Sequence, residues 1–447
     1  MPNWPKSVWA RQPEMTTLPP LPDIQSLWQD TAPPAPTPQP LAGDMQTDIA
    51  IIGGGYTGLS TARALAARGV DAVVLEANRL GWGASGRNGG VVSGKFRLGF
   101  AEMARRWDID TARRMHDIGV EATENIGTLL NAYGIDADYR ASGSLRCAHR
   151  AQALESLRAE CDWLRGTLGD DAVSILSPEE MAAETGSHDF CGGMLNRHGG
   201  IVHPLKLHRG LVAGMRRDGI RIFDTSPVTA IERTDSGVRL HTPGGTVNAR
   251  QVVMATDAYA SLTPATRPVE RRVVPFRSAM IATQPLTGTA GEALLAQGRS
   301  YTETRRMMRW FRKSGDRLLY GGRGAFGKDD SPAAFAALER AMFRQFPQLQ
   351  GLAVTHRWSG LVAMTMDSLP HLGRLDDRMV YAMGYNGTGV ALSNWIGPHV
   401  AELALGGTSQ AALMGQLPLP QVPFYPIREV GVRLVAGWYQ FLDAIGK

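Results

Sequence analysis

The chain has 447 residues, of which 43% are hydrophobic and 20% charged, enough to bury a sizeable core and to exclude a globally disordered protein. The formal net charge of +5 is spread along the sequence without a helix-turn-helix, zinc-finger or RNA-binding signature, so no nucleic-acid partner is expected. Three cysteines without CxxC spacing exclude a disulfide framework, and no apolar run nears the ~20 residues of a membrane span, so a cytoplasmic globular protein is expected.

Residues 1–44 read as a Pro/Trp-rich N-terminal arm, with eleven of the 27 prolines and with Trp4, Trp9 and Trp28. Proline at this density cannot propagate helix or central strand, so the arm should run extended, lying against the globular body or a neighbouring subunit. Regular structure begins at Thr47. TDIAII reads as a buried parallel strand, GGGYTG as a turn, LSTARALAARG as a helix with Leu59, Ala62, Leu65 and Ala66 on one face, and DAVVLEA as a second buried strand. Segments 101–131 and 151–168 are charged and helically periodic, as expected of a cap. The helix PLKLHRGLVAGMRRDG follows at 204–219, then strands IRIF, VTAIE and QVVMAT. Segments 270–283 and 301–323 read as antiparallel sheet. The strand MVYAMG then leads through GYNGTG into a helix, ALSNWIGPHVAELAL. The last segment carries an amphipathic stripe of Val432, Val435, Trp438 and Leu442, expected to dock on the protein or on a subunit partner, so homo-oligomerisation stays open.

The strongest chemical signal is Gly53-x-Gly55-x-x-Gly58 between a strand and a helix. The first glycine permits a tight turn, the second admits backbone to a pyrophosphate, and the third lets helix and strand pack closely. Glu76 ends the second strand, 18 residues after Gly58, where a carboxylate accepts hydrogen bonds from a ribose 2′-OH. This unit predicts a dinucleotide site but does not choose between NAD and FAD. Two other stretches bear on that choice. Gly83-Ala-Ser-Gly-Arg-Asn-Gly-Gly90 exposes backbone and supplies donors from Ser85, Arg87 and Asn88, which suits a loop around a diphosphate and a ring edge. Gly384-Tyr-Asn-Gly-Thr-Gly389 lies between strand and helix, where helix N–H groups can face the pyrimidine end of a flavin. Gly81-x-Gly83-x-x-Gly86 matches the dinucleotide pattern too, but no ordinary strand–helix–strand unit follows it.

IIGGGYTGLS, LEANRLGWGASGRNGG, HPLKL at 203–207, YGG at 320–322, FPQLQG at 346–351, RWSG at 357–360 and GYNGTGV together resemble the glycine/sarcosine/D-amino acid oxidase superfamily of FAD-dependent amine oxidases. Within it, the gamma-glutamylputrescine oxidases are most similar. The likeness runs from about Gly43 to the C-terminus. It implies an α/β FAD-binding Rossmann-type domain that is discontinuous (45–100, 196–265 and 352–410) and an α+β substrate domain with an antiparallel sheet (101–195 and 266–351). A C-terminal tail covers 411–447. The cofactor residues expected are Gly53, Gly55, Tyr56, Thr57, Gly58, Glu76, Ala77, Gly83, Ala84, Ser85, Arg87, Asn88, Gly89, Gly90, Gly360, Gly384, Gly387, Thr388, Gly389 and Val390. The resemblance adds Val228 at the adenine and Ala255–Thr256 near the diphosphate. HRWSGLVAMTMD has no cysteine where several superfamily members attach their flavin, so noncovalent FAD is expected. Val362 stands where enzymes for simple α-amino acids often place an arginine, which favours an amine whose carboxylate is remote.

Such a resemblance implies oxidation of a primary or secondary amine to an imine, hydrolysed to an aldehyde or keto product, with O2 reduced to H2O2. Hydride leaves a carbon beside a neutral nitrogen, so no dedicated base is required. The candidates for the substrate pocket are Trp358, Tyr301, Trp310 and Arg312, where an aromatic face could hold a cationic tail. No lysine matches the oxygen-activating one of sarcosine-type oxidases, so a dehydrogenase passing electrons to a quinone or carrier is the alternative. A non-catalytic FAD-binding assembly subunit is the reading of another class. His198 and His203 lack a third ligand at suitable spacing, so no metal is expected. Ser85 lies in GASG and not in a nucleophile elbow.

Overall fold

The computed structural model describes residues 25–325 and 332–428, together with 430, 431 and 434. The expectations for Trp4, Trp9 and the stripe of Val432, Val435, Trp438 and Leu442 lie outside the described residues. Among the described residues there are two eight-stranded sheets and a small two-stranded one, Val91–Val92 with Gly200–Ile201. The first runs in the order His371–Arg374, Met379–Met383, Gly245–Met254, Met45–Ile52, Ala72–Leu75, Arg221–Phe223, with Val238–Thr242 attached antiparallel to Gly245–Met254 and Ala230–Arg233 antiparallel to Val238–Thr242. Its four central pairings are parallel, and residues 49–52 and 72–75 are buried throughout, which is why they read as continuous apolar runs. Gly53, Glu76, Ala255 and Gly384 each follow the C-terminal end of one of these strands. Ligands of open α/β sheets bind at such ends.

The second sheet runs Val354–Met364, Val274–Thr283, Arg317–Ala325, Arg309–Ser314, Ser300–Glu303, Ser144–Cys147, Gly193–Asn196, Val173–Leu176. All its pairings are antiparallel except that of Ser300–Glu303 with Ser144–Cys147. The helix Pro332–Gln345 backs it, burying Phe335, Leu338 and Met342.

Two expected domain boundaries differ from this architecture. Val354–Met364, placed from residue 352 in the FAD-binding domain, pairs along its whole length with Val274–Thr283 in the second sheet. The helix Ile109–Tyr133, placed in the substrate domain from residue 101, buries Met115, Ile118, Ala122 and Ile126 in the same core as the first sheet's helices. Charged residues cover only the outer face of that helix, and its apolar stripe is the one that decides where it packs. The helix expected across ALSNWIGPHVAELAL breaks into Gly389–Trp395 and Gly397–Ala404. Pro398 lacks an N–H for a continuous helix, and Gly397 lies so close to Ser60 that a Cβ there would sit 2.3 Å from its carbonyl carbon.

The described end of the arm is docked, but Leu27–Thr31, a stretch without proline, forms a short helix where an extended course was expected. Trp28 is fully buried in a cluster with Leu27, Leu205, Met280, Leu319 and Trp358. Farther on, Leu41 N–H donates to Ser226 Oγ at 2.8 Å, and His356 Nε2 lies 2.8 Å from Asp30 Oδ2. Among the described residues no helix is long and apolar enough to cross a membrane.

Candidate functional site

The turn after Met45–Ile52 shows why its glycines are needed. Gly53 has φ +110°, and a Cβ there would lie 2.6 Å from the Ala255 carbonyl oxygen. A Cβ on Gly58 would lie 1.9 Å from the Gly53 carbonyl oxygen, and one on Gly55 would lie 3.0 Å from Ser85 Oγ. Strand, turn and helix therefore pack backbone to backbone, and the face over Gly55 is closed by the loop at 83–90. Tyr56 N–H, at the start of the helix Tyr56–Ala66, donates to Ser85 Oγ at 3.0 Å, tying the two glycine loops together.

Glu76 is fixed by backbone donors from Gly54 (2.8 Å) and Asn78 (3.0 Å). Burial pushes its carboxyl above the ordinary range, and those N–H groups work against the shift. The second glycine loop is a single helical turn, Ala84–Arg87. Asn88 closes it, donating through Nδ2 to Ala84 O and Ser85 O at 3.1 and 3.0 Å and accepting from Gly90 N–H at 2.8 Å. The third loop is held from the first sheet. Asp257 accepts from Gly384 N–H at 2.8 Å, and burial raises its carboxyl to about 6.

These loops converge on one cavity of about 1050 Å³, at the top of the ~300–1,000 Å³ range of small-molecule sites. Every expected cofactor residue lines it except Gly58, Gly90 and Gly384. Those three shape the turns instead: Gly58 abuts Gly53, Gly90 (φ +66°) abuts Val202 O, and Gly384 (φ +84°) abuts Thr365. Val228, Glu76, Gly360 and Gly387–Val390 line the cavity, and Phe276, Ser278, Met280 and Trp310 line it from the second sheet. Thr256 Oγ1 is buried on this wall with no hydrogen-bond partner. An orphaned hydroxyl beside a glycine turn that no side chain could enter fits a dinucleotide bound there. None of Cys147, Cys161 and Cys191 lines the cavity.

Of the four pocket candidates, Trp310 lines the cavity and the others do not. Trp310 lies over Gly321, where a Cβ would sit 2.2 Å from its Nε1, and next to Gly89. Tyr301 points to the opposite side of the sheet. It is fully buried, stacked on Phe311 at 5.4 Å, and its hydroxyl donates to Glu184 Oε1 at 2.7 Å. Trp358 is a support behind the cofactor loop, its Nε1–H donating to Arg87 O at 2.9 Å, while Trp28 Nε1–H donates to Asn88 O at 2.9 Å. Arg312 is covered by the arm, with its guanidinium 5.1 Å from the Trp28 ring, and it donates to Val202 O at 2.9 Å. Burial lowers it to about 9. His198 and His203 are not neighbours in the way a metal pair would be: His203 caps the helix Pro204–Arg217, whereas His198 and His116 both contact Asp170.

Sequence reasoning missed His208, Asp257 and Tyr259. His208 Nε2–H donates to the Gly54 carbonyl at 2.7 Å, holding the dinucleotide turn from beneath, and burial lowers its pKa to about 4. The available signal was a histidine on the apolar face of a helix, in line with Leu205, Leu211 and Val212. Tyr259 accepts through its hydroxyl from Leu361 N–H at 3.1 Å and packs on Trp82, 5.5 Å away.

Residues 48–403 match the family model of the FAD dependent oxidoreductases, DAO. The chain is 32% identical over 404 residues to gamma-glutamylputrescine oxidoreductase of Escherichia coli (strain K12), spanning 89% of this chain and 93% of that one. It is 32% identical over 432 residues to the probable oxidoreductase OrdL of Rhizobium meliloti (strain 1021), spanning 96% and 100%. Among solved structures, glycine oxidase from Geobacillus kaustophilus superposes with a TM-score of 0.71 at 22% identity, over 85% of this chain and 99% of that one. The chain belongs to the DAO family of FAD-dependent oxidoreductases, enzymes that take electrons from amine or amino-acid substrates.

Proposed function

We propose that the cavity holds FAD and that the enzyme oxidises the terminal amine of a gamma-glutamylputrescine-like compound to an imine, with O2 reduced to H2O2. The observation that carries this reading is the continuity of one cavity from Glu76, through the three glycine loops, to the wall formed by Met280 and Trp310. Support comes from the relative named for gamma-glutamylputrescine, matched over most of both chains. The adenosine end belongs at Val228 and Glu76, the diphosphate across the Gly53–Gly58 turn, and the ring near Gly89, Gly360 and Gly387. Bound there, FAD supplies the two-electron acceptor that no side chain offers.

The chain's own part is to bind, orient and keep out water. Phe276, Met280 and Trp310 make an apolar wall that disfavours an ammonium, so the amine loses its proton to solvent before it settles. Val362 lines the cavity beside Gly387 and offers no charge for a carboxylate next to the reacting carbon, which suits an amine with a distant carboxylate. Water then adds to the released imine, giving aldehyde and ammonia. Among the described residues Lys95 lines the cavity from outside the second sheet and no lysine of that sheet does, an observation that favours a second reading in which a quinone or carrier takes the electrons.

One experiment tests both. The purified yellow protein is mixed anaerobically with gamma-glutamylputrescine, glycine, sarcosine and putrescine, and flavin absorbance is followed. Bleaching fastest with gamma-glutamylputrescine, followed in air by recolouring within seconds and H2O2 release, is expected. Bleaching without rapid recolouring selects the carrier reading, and no bleaching by any amine overturns the proposal.

A further inference from the structure

We propose that Arg146 and Glu160 form a subsite for a zwitterionic amino-acid head at the far end of the amine substrate, a proposal that rests on the amine-oxidising reading above. Five strands of the second sheet bring Met280, Gly321, Trp310, Thr302 and Arg146 into direct register, each paired with the next. Directly paired residues share a face. Met280, Trp310, Thr302 and Arg146 accordingly all line the cavity, and Gly321 leaves room for the Trp310 indole. At 4.7–4.9 Å per strand, Arg146 lies about 10 Å along this row from Trp310.

Glu160 reaches the same place from the helix Ala151–Trp163, and Arg146 Nη1 donates to its two oxygens at 2.6 and 2.5 Å. The side chains are 34% and 42% exposed, so both ions are accessible where they line the cavity. The other acids on the wall are committed differently. Glu303 is fully enclosed between Arg305 and Arg309, and Glu102 is engaged by Arg105 and Arg106 of its own helix. A partly exposed pair of this kind contributes little to stability, so opening it for a ligand costs little. The guanidinium uses one nitrogen on Glu160, and an arginine has five N–H donors, which leaves an edge for a carboxylate.

A neutral pair of opposite charges matches a head that carries both signs: α-carboxylate on Arg146, α-ammonium on Glu160. The span fits as well. From the carbon bearing the terminal amine of gamma-glutamylputrescine to the glutamyl α-carbon there are eight bonds, about 10 Å at roughly 3.8 Å per three extended bonds. A free diamine offers Glu160 a second cation but brings no carboxylate for Arg146.

The test compares gamma-glutamylputrescine with N-acetylputrescine, which keeps the amide and lacks the head. Anaerobic flavin reduction and steady-state KM and kcat are measured for the natural holoenzyme, Arg146→Gln and Glu160→Gln. Each variant should raise KM for gamma-glutamylputrescine about tenfold or more, with kcat within about twofold and the N-acetylputrescine values unchanged. An equal loss on both substrates, or no change on gamma-glutamylputrescine in a yellow, folded variant, overturns the subsite while leaving the amine-oxidising reading intact. If the natural enzyme is reduced by neither compound nor by putrescine, that reading falls and takes the subsite with it.

Discussion

Thr256 shows how a single hydroxyl can report on a bound cofactor. Its Oγ1 is buried without a protein partner, so its desolvation is uncompensated in the protein alone. Thr256→Val should leave the thermal stability of the flavin-free protein within about 0.5 kcal/mol and weaken FAD binding about fivefold to tenfold, read by titrating flavin into the stripped protein. Two histidines predict a dependence on acid. His203 and His208 are almost fully buried, and burial lowers both from 6.5 to about 4. The unfolded chain takes up protons at these positions below pH 6.5 and the folded protein does so only near pH 4. Stability is therefore complete above 6.5 and is lost as pH falls through that window, by about 3 kcal/mol per histidine when fully developed. Asp257, whose folded pKa of about 6 exceeds the ordinary 3.8, and the buried carboxyls of Glu76 and Glu303, also raised, act in the opposite direction, so the histidine share is isolated by substitution. Urea midpoints at fixed FAD should drop between pH 6.5 and 4.5, and His208→Gln should flatten the slope.

The glycine loops form a matched pair of elements. A Cβ on Gly86 would lie 1.9 Å from the Gly81 carbonyl oxygen, the same approach that Gly58 makes to Gly53. The second GxGxxG thus builds the same backbone turn although only one turn of helix follows it. Gly58→Ala and Gly86→Ala should each destabilise the protein by at least the ~1–3 kcal/mol of an overpacked core and lower the flavin content of purified protein, and equal losses would show the two turns to be equivalent. The first turn was readable from sequence because its requirements are local, a glycine with a strand before and a helix after, whereas the second, for want of an ordinary strand–helix–strand unit, was not. The substrate face was not readable either. Tyr301 and Thr302 are adjacent on a strand and therefore face opposite sides, and alternation alone does not say which side meets the cavity. The aromatic residue looked the better candidate, yet it is the threonine that lines the wall. Arg312 shares a face with Trp310 but lies where the arm covers the sheet, a contact between parts of the chain too distant for any local pattern to reveal. Trp358 stands in the cavity row beside Met280 and is turned to the Arg87 carbonyl for the same reason.

At the scale of the whole molecule, the arm clasps the cofactor loop to the second sheet. Trp28 meets Trp358 at 6.1 Å and His203 at 4.7 Å while donating to Asn88 O. Trp28→Ala should cost about 3–5 kcal/mol and loosen FAD, whereas Trp28→Phe should keep much of the packing and lose the Asn88 bond. Thermal melts and flavin release rates separate the two effects. The clasp also dictates an order of events during synthesis. Asp30 and His356, which close it, are 326 positions apart. A ribosome delivers the strap long before its anchorage, so a nascent chain can shape the first glycine turn but cannot fasten it. Retention of the yellow pigment is thereby deferred until His356 has been made.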